Sequence, residues 1–253
     1  MNLDGLQHPR LHAASTTVVR QRLPPRAGER AAEDEALTSL DVLYALAEHR
    51  APERLVRVFR PAPTLAFSRR ESLHPGFAAA ERAARNAGYE PIIRPAGGRA
   101  VALDPDWVVL DIVTLEPQRL DNRDVFVEHG EEFVALLREW GVDARFGPVP
   151  GEYCPGDYSV NARGSVKLVG AAQRVARGVR LYSASLPLRV TDAAADVLAR
   201  VNPLLELDWD PTTLGSLADE IDMTDAAVED ALLSRFAGSD VVERPLEAIL
   251  RGV

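Results

Sequence analysis

The chain has 253 residues, of which 46% are hydrophobic, so it can bury one sizeable core but not several. Its formal net charge of -9 disfavours contact with phosphate backbones, which excludes nucleic acid as an expected partner. The sequence has no run of about 20 apolar residues and no signal-peptide pattern, so we expect a cytoplasmic protein with no membrane partner.

Helices and strands alternate along the first part of the chain. Residues 1–30 are rich in arginine and proline and predict an N-terminal arm, with one strand-like run at 16–19. A three-residue spacing of leucines then predicts an amphipathic helix over 33–49. The next predicted elements are strands at 55–59 and 64–67, a helix at 77–87, strands at 91–94 and 107–115, and a helix at 125–140.

The most strand-like part of the chain follows. Residues 157–161, 165–175 and 179–190 predict three strands joined by Arg163-Gly164 and Arg177-Gly178 turns, and therefore an antiparallel meander. Thr191 is the expected N-cap of a helix that ends at about residue 201. Short helical patterns at 214–220, 226–236 and 246–251 complete the chain.

A single lysine, Lys167, stands among the 29 lysine and arginine residues. Arginine cannot replace a compact amine whose pKa must move, so this lysine indicates a chemical role; the competing interpretation is an ordinary lysine at a sheet edge. Because Cys154 is the only cysteine, no internal disulfide and no paired-cysteine zinc site can form. It lies a short distance upstream of Lys167. Its competing interpretation is a small buried hydrophobic residue.

Two glycine-containing segments accompany these residues. The first is the paired-glycine turn Arg94-Pro95-Ala96-Gly97-Gly98-Arg99-Ala100-Val101, where a ligand can approach the backbone closely. The second is the loop Gly151-Glu152-Tyr153-Cys154-Pro155-Gly156-Asp157-Tyr158, followed on the middle strand of the meander by Lys167-Leu168-Val169-Gly170-Ala171-Ala172-Gln173-Arg174. A thiolate near a cation is stabilised, so Cys154 is a candidate nucleophile, Lys167 is the nearest candidate cation, and no partner histidine can be assigned.

These segments resemble the octanoyl amidotransferases of lipoate assembly, a branch of the biotin/lipoate attachment superfamily. The motif of that branch reads approximately Tyr-Cys-Pro-Gly-x-Tyr-Asp-Leu-Ser, then Lys-Phe-Ala-Gly-Ile-Ser-Gln-Arg-Arg. The paired-glycine turn is similar to its Arg-x-x-Gly-Gly-x-Ala-Val loop, and residues 63–70 are similar to its substrate-side turn. The resemblance covers about residues 33–190. The chain departs from the motif at Ser159-Val160-Asn161 in place of Asp-Leu-Ser, at Val175 in place of the second arginine, and at Gly164-Ser165-Val166 in place of Gly-Lys-Lys.

The resemblance implies an α/β fold of the α+β type: a mixed, mainly antiparallel twisted sheet flanked by helices, with a tunnel for an eight-carbon chain. We expect an N-terminal arm (1–30), a catalytic acyl-transfer domain (31–190) and a helical C-terminal extension (191–253) packed on that domain. Cys154 and Lys167 are the predicted catalytic residues. The predicted acyl- or substrate-binding residues are Arg94, Gly97, Gly98, Arg99, Ala100, Gly156, Tyr158, Gly170 and Ala171.

Three functions remain open at this point. In the first, Cys154 carries an octanoyl or lipoyl group as a thioester and passes it to a lysine of a lipoyl-domain protein or of the glycine cleavage H protein, while Lys167 holds the acyl carbonyl. This reaction needs no metal and no cofactor beyond the transferred group, and we expect a monomer. The second is a lipoate-protein ligase that forms lipoyl-AMP with ATP and Mg, with residues 94–99 cradling phosphate. The third is a noncatalytic acyl-binding module.

Overall fold

The computed structural model describes residues 16–21, 30–94, 96–116 and 118–252; most of the predicted N-terminal arm lies outside these ranges. The helices are α1 (Arg30–His49), α2 (Phe77–Asn86), α3 (Asn122–Glu139), α4 (Asp192–Val201), α5 (Asp225–Ala237) and α6 (Leu246–Arg251). The strands are β1 (Thr16–Gln21), β2 (Arg54–Phe59), β3 (Thr64–Ser68), β4 (Glu90–Arg94), β5 (Val101–Leu103), β6 (Trp107–Leu115), β7 (Ala144–Phe146), β8 (Val160–Ala162), β9 (Val166–Ala176), β10 (Val179–Pro187) and β11 (Val241–Glu243).

Eight strands form the main sheet, in the order β11-β1-β2-β6-β10-β9-β8-β7. Strand β1 runs parallel to β2 and β11, and every other neighbouring pair is antiparallel. A smaller sheet has the order β4-β3-β5. The predicted fold class, a mixed and mainly antiparallel sheet flanked by helices, is confirmed.

The predicted meander is present as β8, β9 and β10. Its two turns have positive φ at both central residues, with Arg163 at 57° and Gly164 at 72° in the first turn, and Arg177 at 53° and Gly178 at 73° in the second. This is the turn geometry that matches the twist of antiparallel strands. The first strand is shorter than expected, because the chain from 147 to 159 forms a loop instead of pairing.

Two short strands and one helix differ from the sequence prediction. Strands β7 and β11 were not predicted, since three residues are too few to show a periodic pattern. The helical pattern at 214–220 yields only one 3₁₀ turn, Leu217–Asp219. Strand β11 pairs with β1, so the C-terminal part of the chain contributes an edge strand as well as helices. The division into three segments stays a prediction.

Helices cover both faces of the main sheet. Alternate residues of β6 point to opposite faces: Leu110 and Ile112 join a core with α3 and α5, whereas Val113 joins a second core with α1 and α6. The smaller sheet packs with α2 and α4 in a third core. A cavity remains between the two sheets, and Ser39 and Leu40 of α1 line part of it. No helix in the described ranges is long and apolar enough to cross a bilayer.

His129 of α3 lies within the first of these cores and links folding stability to pH. Its ring packs against Tyr182 and Phe236, and burial, followed by the positive charges of Arg54 and Arg180, lowers its pKa to about 3. In the unfolded chain His129 binds a proton below pH 6.5, whereas in the folded chain it does so only near pH 3. The contribution of neutral His129 to stability is therefore fully present above pH 6.5 and is lost as the pH falls towards 3.

We expect the free energy of unfolding to fall by about 2 kcal/mol from this residue between pH 7 and pH 5. Urea unfolding at both pH values measures the change. His129→Phe keeps a ring in the stack and should flatten the difference, while His49→Gln, at an exposed site on α1, should leave it unchanged. Equal pH dependence in all three proteins would contradict the assignment.

Candidate active site

A cavity of about 480 Å³ lies between the main sheet and the smaller sheet. Its volume is within the usual range for a small-molecule site. The predicted site residues that line it are Arg94, Gly97, Gly98, Cys154, Gly156, Tyr158, Lys167, Gly170 and Ala171. The fold therefore brings together residues that are far apart in the sequence, from the paired-glycine turn, the Cys154 loop and β9.

The floor of the cavity is built from small side chains of two neighbouring strands. Gly170 pairs with Ser185, and Ala172 pairs with Ser183, so all four face the cavity side of the sheet. The walls are more apolar and include Phe59, Leu40, Val101, Leu103, Val109 and Leu181. Small floor residues leave an open groove, and apolar walls suit an alkyl chain.

The backbone of Lys167 is held on both sides. It pairs with Asn161 in β8 next to a register shift in the strand pairing, and its carbonyl oxygen accepts a hydrogen bond from the Gly215 N–H at 3.4 Å. Such irregularities re-aim a side chain. Gly170 leaves room for this side chain, because a Cβ at that position would lie 3.2 Å from Cε of Lys167.

The Lys167 side chain is buried, with only 3% of the residue exposed. Its ammonium donates to the carbonyl oxygen of Cys154 at 2.6 Å, lies 3.6 Å from Oε1 of Glu152, and sits over the Tyr153 ring. Burial lowers the pKa of Lys167, whereas the negative charges of Cys154 and Glu152 raise it. An ammonium has three donors, so one remains for a ligand in the cavity.

The Cys154 thiol contacts the paired-glycine turn. The Arg99 N–H donates to Sγ at 3.2 Å, and Nη2 of Arg94 lies 3.9 Å from Sγ. The Lys167 ammonium, which the sequence predicts as the cation near this thiol, donates to the Cys154 carbonyl and interacts electrostatically with the Cys154 side chain. A guanidinium and a backbone amide of the turn contact the sulfur directly.

The paired-glycine turn is fastened by a buried carboxylate that sequence reasoning missed. Oε1 of Glu71 accepts from the Ala100 N–H at 2.8 Å, and its Oε2 accepts from the N–H and hydroxyl of Ser68 at 2.7 and 2.9 Å. Ala100 is therefore buried behind the cavity wall, not in it, and Arg99 reaches the site through its main chain. The spacing Ser68-Arg69-Arg70-Glu71 is a capping-box pattern, which indicates the contact between Ser68 and Glu71 but not the contact with Ala100.

Gly98 lies where the paired-glycine turn passes next to the Cys154 sulfur. Its φ is +102°, and a Cβ there would lie 3.0 Å from Sγ of Cys154 and 2.5 Å from Nη2 of Arg94. Backbone strain and a displaced thiol should both follow from substitution. We expect Gly98→Ala to lower the rate of thiol alkylation by about tenfold or more.

Gly141→Ala is the matched control for this substitution. Gly141 has φ of +92° and follows the C-cap of α3. No atom lies within 4 Å of the place that a Cβ would take there. It should carry the same backbone strain, with a modest loss of stability and unchanged thiol reactivity. Equal alkylation rates in the two variants would show that Gly98 does not set the position of the thiol.

In the described ranges, no group of three or more His, Cys, Asp or Glu residues is arranged to hold a metal ion.

Comparison with known proteins places these features in context. A family model described as the lipoyl protein ligase A/B catalytic domain matches residues 35–237. The octanoyl-GcvH:protein N-octanoyltransferase of Geobacillus kaustophilus is 34% identical over 106 residues, which cover 39% of this chain and 36% of that protein. A protein of the same name from an Exiguobacterium species is 25% identical over 244 residues, covering 94% of this chain and 82% of the relative.

Solved structures agree at the level of the fold. A lipoate-protein ligase A bound with ATP superposes with a TM-score of 0.68 at 20% identity, covering 94% of this chain and 93% of the other. A putative lipoate protein ligase from T. acidophilum with bound lipoic acid gives a TM-score of 0.64, also at 20% identity and with 94% and 93% coverage. At this identity the likeness concerns the fold alone.

Proposed function

The chain belongs to the lipoyl protein ligase A/B catalytic-domain family, and on that premise we propose that it is an acyltransferase that moves an octanoyl group from one protein to another. The donor is an octanoylated H protein of glycine cleavage, and the acceptor is a lysine of a lipoyl-domain protein. The names of the relatives that match this chain support this assignment over others in the family.

One structural observation carries the proposal: the Cys154 thiol, the Lys167 ammonium and the paired-glycine turn meet at one cavity with apolar walls. The Cys154 thiol loses its proton and attacks the acyl carbonyl as a thiolate, the donor amide nitrogen takes up that proton and leaves as the lysine amine, and a Cys154 thioester remains. The acceptor amine then attacks the thioester and forms the new amide, and the proton that it loses returns to the departing Cys154 sulfur. Each step develops negative charge on the acyl oxygen, which the free donor of Lys167 can stabilise.

The reaction needs neither ATP nor a metal, because a thioester keeps the acyl group activated without a phosphate leaving group. A ligase would use residues 94–99 to bind phosphate. Here, however, Nη2 of Arg94 donates to the Arg99 carbonyl at 2.8 Å, the Arg99 N–H contacts the thiol, and Nη1 of Arg99 donates to the Asp208 carbonyl at 3.4 Å. These contacts support the transferase over the ligase.

The same proposal includes a cytoplasmic, monomeric enzyme without a nucleic-acid partner. A catalytic thiol must stay reduced, which a reducing compartment ensures. The net charge of -9 works against association with nucleic acid.

The test follows both proteins by intact mass. The purified chain is incubated with an octanoylated H protein and an unmodified lipoyl domain, with and without ATP and Mg, and a lipoylated donor is run in parallel. We expect the octanoyl mass to move to the lipoyl domain at the same rate in both conditions. Acylation of the lipoyl domain only when free lipoate or octanoate, ATP and Mg replace the octanoylated donor would identify a ligase, and binding without transfer would identify a noncatalytic module.

A further inference from the structure

Glu152 lies at the centre of the Cys154 loop and has no part in the reaction as described so far. It is fully buried, with 0% of the residue exposed. Its Oε1 accepts from the Gly156 N–H at 2.8 Å and from the Ser159 hydroxyl at 2.9 Å, and lies 3.6 Å from Nζ of Lys167. Its Oε2 accepts from the Val149 N–H at 3.4 Å. One carboxylate thus joins both ends of the loop to the lysine.

Ser159 is the side chain across the loop that donates a hydrogen bond to the Glu152 carboxylate. The motif that the chain resembles carries aspartate at this position, so the chain lacks the carboxylate expected after the Tyr158 ring. Ser159 is itself buried, with 3% of the residue exposed, and its hydroxyl points to Glu152. Positions 152 and 159 are therefore in hydrogen-bond contact, so a carboxylate at either position would lie in the same buried part of the loop.

We propose that Glu152 is a positioning residue that holds the Lys167 ammonium towards the acyl site and supplies the carboxylate that the motif carries at position 159. The inference rests on the proposed function, because that function assigns the Lys167 ammonium to stabilising the acyl oxygen.

The electrostatics of the site explain the need for a carboxylate. A buried ammonium requires a charged or hydrogen-bonded partner. The groups that face Lys167 are Glu152, the Cys154 thiol and carbonyl, the Tyr153 ring and, at longer range, Arg94. Burial and Arg94 both lower the pKa of Lys167, and Glu152 opposes them. A neutral amine would be a weaker donor to the developing oxyanion.

The single lysine makes a direct measurement practical. Uniform incorporation of ¹³C-lysine labels only Lys167, whose Cε shift reports its titration without any substrate. Glu152→Gln keeps the shape and an acceptor oxygen but removes the charge. We expect its titration midpoint to move to lower pH and kcat at pH 7 to fall roughly tenfold to hundredfold, the range for groups that orient a catalytic residue.

Two further variants separate this role from simple loop support. Glu131→Gln removes an exposed carboxylate on α3 and should change neither quantity. The exchange variant Glu152→Ser with Ser159→Asp returns the charge to the motif position and should restore the titration midpoint and most of kcat. If Glu152 only supported the loop, kcat and the Lys167 titration midpoint would not change together. The exchange variant would then have no higher kcat than Glu152→Gln.

The outcomes for these variants either support or overturn the proposed role of Glu152. A folded Glu152→Gln protein with the wild-type midpoint and kcat would overturn the proposal. If Glu152→Gln does not fold, as judged by thermal unfolding, the exchange variant decides: a wild-type midpoint supports the proposal, and a shifted midpoint or an unfolded protein overturns it. Failure of the wild type to transfer octanoyl would overturn the proposed function alone, because the lysine titration needs no substrate.

Discussion

Cys154→Ser should abolish octanoyl transfer, with a loss of at least about 10³-fold in kcat/KM. A serine hydroxyl ionises far less readily than a thiol and needs a general base. In the described part of the chain, no histidine lines the cavity to act as that base. The Arg99 N–H and the Arg94 guanidinium that contact the sulfur stabilise a thiolate but cannot remove a hydroxyl proton.

The measurement is intact mass after brief mixing with the octanoylated donor alone. Wild-type protein should gain the mass of one octanoyl group, and hydroxylamine should remove it, as expected for a thioester. Because the chain has one cysteine, no other thiol can carry this adduct. The serine variant should show no labile adduct and should unfold at a similar temperature. Retained transfer in Cys154→Ser would remove the covalent mechanism.

Lys167→Arg should be the second most damaging change, with a loss of roughly 10²- to 10³-fold in kcat, the cost of removing one oxyanion donor. The two side chains carry the same charge, but a guanidinium is planar and larger. The Lys167 side chain passes so close to Gly170 that even a Cβ there would lie 3.2 Å from Cε. A guanidinium therefore cannot reach the Cys154 carbonyl and the cavity in the same geometry.

Lys167→Met serves as the comparison, because it keeps an apolar stem and removes the charge. It leaves Glu152 buried without its cation, so we expect a loss of stability of about 3–5 kcal/mol in addition to the loss of activity. Steady-state kinetics and urea unfolding of both variants separate the two effects. A fully active Lys167→Arg protein would show that the survival of one lysine in an arginine-rich chain has no chemical cause.

The prediction of elements succeeded where a pattern was long. Strand β6 appears with the bounds that its apolar run predicted, and Thr191 caps α4 as expected, with its hydroxyl accepting from the Ala194 N–H. Short edge strands such as β7 and β11 could not be predicted, since their pairing depends on partners distant in the sequence.

The sequence singled out candidate site residues where their type or spacing is unusual. A lone lysine, a lone cysteine and a paired glycine are visible in a composition or a motif. Glu71 and Glu152 are two of many acidic residues, and nothing in their type separates them from surface carboxylates. Their importance comes from burial and from the amides that they accept, which are properties of the folded chain.

The sequence by itself determined the family and the order of the main elements, and it singled out Cys154 and Lys167 as the proposed reactive side chains, because these depend on local pattern and residue chemistry. Only the tertiary structure decided which atoms meet. It directed the Lys167 ammonium to the Cys154 carbonyl and to Glu152, brought the Arg99 N–H to the thiol, and placed Ala100 behind the wall. Such contacts depend on strand register, loop conformation and exclusion of water, which the packing of distant segments sets together.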